Sequence, residues 1–178
     1  MAAPPAMTLV TTNLGLFSAL SAIKPDSTEV PVSILWTNIC LTFFPMDSFK
    51  ISKKETVSVV FQVRLRHPQV VHPNSSSDLE ERQIFIVECK RPSKDTPAEW
   101  EATAGQLSHY CEQNLDGSTK IFGATAIGTK VKFWSYNKPH LTELHGGVYD
   151  LSDQSGRDNA EQSLLYIRDN GWAWTASG

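Results

Sequence analysis

The sequence has little cysteine and no paired cysteine motif. Cys40, Cys89 and Cys111 are the only three in 178 residues, and no C-x-x-C spacing occurs. Three scattered thiols exclude a disulfide framework and offer no pattern for a structural zinc. Each lies in an apolar stretch, which reads as a buried thiol in a reducing, intracellular compartment. No run of 18 apolar residues is present, so nothing in the sequence is suited to span a bilayer. The stretch Leu14 to Ala22 is mildly apolar and ends in small residues, but no Lys or Arg precedes it. It reads as mature sequence rather than a signal peptide. Asn74-Ser75-Ser76 matches a glycosylation sequon, which matters only in a secreted chain. A glycine-rich phosphate loop, a nucleophile elbow and a dinucleotide fingerprint are all missing, as are internal repeats and an interdomain linker. A charge excess is missing too: 16 Lys and Arg stand against 19 Asp and Glu, a net charge of −3. The whole molecule is therefore no attractor of nucleic acid, and any such surface must be a local basic patch.

What is present is ordinary globular usage, with 40% hydrophobic and 20% charged residues. Length and composition predict one globular domain over residues 1–178, with residues 1–10 and 172–178 as loose tails, and the elements along it read as α/β. Ser33 to Phe44 is apolar nearly all round. It suits a buried helix or a strand, and Pro31 before it and Pro45 after it favour a helix. Val57 to Arg66 alternates Val57, Val59, Phe61, Val63 and Leu65 with Ser58, Val60, Gln62, Arg64 and Arg66, the period of a strand with one polar face. His72 to Glu81 reads as a loop. Gln83 to Lys90, with Ile84 to Val87 apolar without a break, reads as a central strand covered on both faces. Thr96, Pro97 and Glu99 form a helix start with a capping box, and that helix should run to about Glu112, with Asn114 able to end it. Strands follow over Ile121 to Ala126 and Lys130 to Tyr136, with a third short one over Gly147 to Leu151. A last helix covers Asp158 to Arg168, stopped near Gly171.

The segment that carries chemistry is Glu88-Cys89-Lys90. Two residues apart on a strand, the carboxylate and the ammonium leave on one face. Two charges on a buried strand are costly unless paired or hydrated. In phosphodiester hydrolysis such a carboxylate holds a divalent cation, while the lysine positions water and offsets charge in the transition state. The plainer reading is an ion pair at a strand end. Gln106 and Tyr110 fall on one stripe of the following helix, together with Glu99 and Thr103.

With an E-x-K strand followed by a helix bearing Q-x-x-x-Y, the chain resembles the PD-(D/E)XK nuclease superfamily, in its RecB-like and lambda-exonuclease-like branch. The resemblance covers roughly Ile51 to Asn137. It implies a restriction-endonuclease-like core, a mixed central sheet flanked by helices, with Glu88, Lys90, Gln106 and Tyr110 as catalytic residues. It also implies Mg²⁺ held by Glu88 and an aspartate on the preceding strand. At the matching place, Pro68-Gln69-Val70-Val71, this sequence has Gln69, a weak ligand for a hard cation. Asp78 is a further candidate ligand, though its place beside Ser75 and Ser76 also suits a turn. Ser33 to Phe44 holds no Asp or Glu, although Glu29 lies just upstream of it and Glu55 precedes the Val57 strand.

Arg64 and Arg66 share a strand face, and with Lys90 and Arg91 they form either a phosphate-binding surface or a solvated sheet edge. The functional expectation is a nuclease-like protein acting on or binding DNA or RNA, with magnesium-dependent cleavage weakened or lost. The alternative is a non-catalytic protein-interaction module on the same fold.

Overall fold

The computed structural model describes Leu9 and residues 13–55, 59–68 and 79–178, and within them four α-helices and one seven-stranded sheet. In chain order these are α1 (Leu14–Ser21), α2 (Glu29–Phe43), β1 (Phe49–Glu55), β2 (Val59–Pro68), β3 (Leu79–Lys90), α3 (Pro97–Gln113), β4 (Lys120–Ile127), β5 (Lys130–Asn137), β6 (His140–Glu143), β7 (Tyr149–Asp150) and α4 (Gln154–Ala176). The sheet runs β1-β2-β3-β4-β5-β6, and β7 pairs with β5. Its first three strands form an antiparallel meander, and β4 then lies parallel to β3 after the crossover through α3. Return to the same sheet direction requires such a crossover, which is why a helix separates these two strands. The sheet is mixed, with helices on both faces, as the α/β reading requires.

Alternation divides the core in two. Phe61 and Val63 of β2, Phe85, Val87 and Cys89 of β3, and Phe122, Ala124 and Ala126 of β4 pack under α2 and α4. Val60, Ile86 and Ile121 face the other way and pack with Leu107 and Cys111 of α3. The polar face expected for β2 is thus covered: Gln62 is buried, and its amide Nε2 donates to Asn114 Oδ1 at 3.0 Å. A bulge in β3, between the pairs Val63–Phe85 and Arg64–Gln83, leaves Ile84 unpaired. Ile84 joins the same core cluster as Phe85, as an inserted residue shifts the alternation. Gly123 of β4 lies beneath Leu107, and a Cβ there would sit 2.9 Å from Leu107 Cδ2, so a larger residue would have to displace the Leu107 side chain. Gly128 takes φ +60° in the two-residue turn between β4 and β5, a conformation that favours glycine.

Several boundaries differ from the sequence reading. β3 begins at Leu79, so Leu79 to Glu81 belong to a strand rather than the expected loop; they pair with His67, Arg66 and the end of β2. Strands β1 and β6 carry no alternation strong enough to announce them, and exist through pairing with β2 and β5. Thr96 caps α3 by accepting from the Glu99 N–H at 3.3 Å, but the Glu99 carboxylate turns to Lys94 at 2.6 Å instead of closing a capping box. Helix α4 runs past Gly171 to Ala176, so residues 172–176 are helical rather than a tail. Gly171 stays inside the helix because it packs against Ile84, and Ser118 Oγ donates to the Thr175 carbonyl at 2.6 Å. Of the other expected tail, Leu9 is buried, and residues 1–8 and 10 lie outside the described residues.

Candidate functional site

Glu88 and Lys90 leave β3 on the face that α3 covers. Glu88 is wholly buried, and Lys90, with a side chain 11% exposed, places Nζ 3.0 Å from Glu88 Oε1. Across the ladder Glu88 stands opposite Val60 on β2, and beside Thr125 on β4. Thr125 is also wholly buried, and its hydroxyl accepts from Trp134 Nε1 at 3.1 Å. The carboxylate therefore has a hydrocarbon on one side, a hydroxyl on the other and an ammonium in front.

Beyond Lys90 the strand ends, and the N-terminus of α2 and the first half of α3 close on it. Between them lies a cleft of about 390 Å³ walled by Glu29, Lys90, Arg91, Lys94, Glu99 and Gln106, among others. Lys94 and Glu99 bridge its mouth. Glu29 reaches the wall because Thr28 caps α2, accepting from the Val30 N–H at 3.4 Å, and so sets the helix start beside the end of β3. Glu29 and Glu88 bear on the same stretch of strand. Burial first, then Cys40, Glu88 and Glu29, push the Cys89 thiol well above its ordinary value, against a small opposing pull from Lys53. Burial alone pushes the Cys40 and Cys111 thiols up to about 12. All three cysteines are free and buried, the setting of inert structural thiols.

The expected site residues separate into groups. Lys90 and Gln106 meet in the cleft, with Glu88 bonded behind Lys90. Tyr110, one helical turn on, packs instead against the apolar cluster of Val60, Ile86 and Leu107. Arg91 is exposed on the cleft wall. Arg64 is elsewhere: opposite Gln83 in the ladder and paired with Asp116 after α3, it lies at the other end of the face that α3 covers. At about 3.3 Å per residue, the run from Gln83 to Lys90 separates them by roughly 23 Å. Gln69, Asp78 and the side chain of Arg66 lie outside the described residues. The neighbour expected for Glu88, Gln69, is corrected by the register: Val60 holds that position, and Pro68, the last residue of β2, already pairs with Leu79 at the far end of β3. Lys94 and Thr125 were not legible as site residues, because a parallel register and the docking of a helix leave no local pattern, whereas Glu29 was already a candidate carboxylate and reaches the cleft with the start of α2.

A hard divalent cation prefers several charged oxygens with little competing positive charge. Here the Glu88 carboxylate faces an ammonium and a valine, and Glu99 is engaged by Lys94. Among the described residues no three His, Cys, Asp or Glu side chains gather into a metal-holding group. Among the described residues, the donor set around Glu88 is a poor match to Mg²⁺.

Comparison of the chain with protein-family models, with curated proteins and with solved structures finds no match. Among the described residues no helix is long and apolar enough to cross a membrane.

Proposed function

We propose that this chain is a PD-(D/E)XK nuclease-like domain with a restriction-endonuclease-like core, which contacts a nucleic-acid backbone at its cleft and cleaves it weakly or not at all. The order helix, three antiparallel strands, helix, parallel strand supports this reading, with Glu88-x-Lys90 on the central strand and Gln106 reaching the same cleft. The observation that carries the catalytic half is Val60 opposite Glu88. A carboxylate at that place would share a cation with Glu88; a valine cannot. With Lys90 bound to Glu88, the ammonium neutralises the carboxylate rather than a phosphate in transition. Phosphate contact falls to Arg91, which is exposed on the wall, and needs no metal. Three free, buried thiols accord with an intracellular setting.

A protein-interaction module on the same fold is the second reading, favoured by the charge balance of the cleft. Lys90, Arg91 and Lys94 are offset by Glu29, Glu88 and Glu99, so the local field toward a polyanion is weak.

The test is fluorescence anisotropy and a cleavage assay on single- and double-stranded DNA and RNA, with Mg²⁺ or Mn²⁺. Wild type should bind with a salt dependence that Arg91→Ala reduces by about one unit of slope, and should leave the strands intact. Strong cleavage abolished by Glu88→Ala would overturn the catalytic half. Absence of binding to every nucleic acid would overturn the other half and favour the protein-interaction reading.

A further inference from the structure

Helix α2 is apolar nearly all round, a pattern that belongs to a helix buried on every side. The structure covers only part of it. Val30, Ile34 and Leu41 are 62%, 50% and 44% exposed, and their spacing puts them on one stripe of the helix. Asn13 Nδ2, at the start of α1, donates to Thr42 Oγ1 near the end of α2 at 3.5 Å, so the two helices run antiparallel. That contact brings Leu14, 84% exposed, beside the Leu41 end of the stripe, with Phe17, 55% exposed, one turn further along α1. The helices themselves carry little charge: α1 has none, and the single charged residue of α2 is Glu29, in the cleft. Lys24 and Asp26 are exposed in the turn that joins them, and Lys24 and Arg157 share a hollow with Phe17.

We infer that the solvent face of the α1–α2 hairpin is the interface of a two-fold symmetric dimer of this chain. A two-fold contact sets a surface against itself, so every charge near the axis would meet its like; a stripe free of charge is the surface such a contact tolerates. The stripe also suits an antiparallel crossing about its own midpoint, which sets Val30 against the partner's Leu41 and Ile34 against the partner's Thr37. At roughly 200 Å² for a fully exposed large apolar residue, the five side chains present about 600 Å², most of the ~800 Å² that a stable interface buries per partner. A nucleic acid or an anionic membrane would call for Lys and Arg along the α2 stripe, and Val30, Ile34, Thr37 and Leu41 are all uncharged.

The test is sedimentation velocity on the full chain from about 1 to 100 μM, the weak end of affinities for interfaces of this size. Wild type should sediment as a dimer. Ile34→Glu and Ile34→Lys should each sediment as monomers with unchanged circular dichroism, and an equimolar mixture of the two should recover the dimer. If a charged Ile34 variant loses its fold, Leu41→Lys takes its place on the same stripe. A wild type that stays monomeric across the range, or an Ile34→Glu variant that stays dimeric, overturns the inference. A monomeric wild type that co-sediments with phosphatidylcholine vesicles would also overturn it, and assign the face to a lipid surface.

Discussion

Val60 stands directly opposite Glu88 across the β2–β3 ladder, a hydrocarbon facing a buried carboxylate. Placing a second carboxylate there should create a cation site beside Glu88. Val60→Asp is expected to be less stable than wild type without metal, because two buried carboxylates repel. Millimolar Mg²⁺ or Mn²⁺ should raise its melting temperature while leaving wild type unchanged, since a ligand that binds only the folded state stabilises it. A thermal shift of wild type equal to that of the variant would show that Glu88 already shares a cation with another carboxylate.

Lys90 and Glu88 form a buried pair at 3.0 Å, and removal of one member leaves the other charge uncompensated. Lys90→Met should therefore cost about 3 kcal/mol or more of unfolding free energy, measured by urea titration. Lys90→Met combined with Glu88→Leu should recover most of the loss, because neither charge then remains in the core. A loss in the double variant equal to the sum of the losses in Lys90→Met and Glu88→Leu alone would mean that the pair contributes no coupling.

Gly156 opens the first turn of α4, where a Cβ would lie 1.9 Å from the Asp150 carbonyl oxygen and 2.8 Å from the Asp150 nitrogen. Both are backbone atoms of β7 and cannot swing aside. Gly156→Ala should cost about 3 kcal/mol, at the upper end of overpacking, despite the higher helix propensity of alanine. A denaturation midpoint within error of wild type would show that α4 can shift its start without loss.

Glu161 on α4 is buried, and burial raises its carboxyl above the ordinary 4.5, with the Leu9 N–H pulling down and Asp158 pushing up. A raised folded value means that the folded state binds the proton more tightly than the unfolded chain. The favourable contribution is full below the unfolded value and is lost as pH rises through the folded one. Glu161→Gln should therefore match wild type in stability at pH 4 or below and exceed it at pH 7, by denaturant titration at each pH. A constant difference across that range would show that the carboxyl titrates alike in both states.

Much of the architecture was determined by local sequence. The unbroken apolar run Ile84 to Val87 belongs to a strand covered on both faces, and Thr96-Pro97 starts a helix because those residues satisfy or lack the N–H groups that a helix start leaves open. The two-residue separation of Glu88 and Lys90 already put them on one face, and the Gln106 spacing put that side chain on the stripe beside them. Tertiary structure decided the rest. Which residue faces Glu88 depends on strand register, and register is set by the whole ladder, including the bulge at Ile84, so Val60 rather than Gln69 holds the place. The parallel approach of β4 brought Thr125 beside Glu88, the docking of α2 brought Glu29 to the cleft, and the β2–β3 register placed Arg64 opposite Gln83, far from it. The apolar girdle of α2 was plain in the sequence; that Val30, Ile34 and Leu41 would be left uncovered was not, because burial depends on what packs against a helix and not on the helix itself.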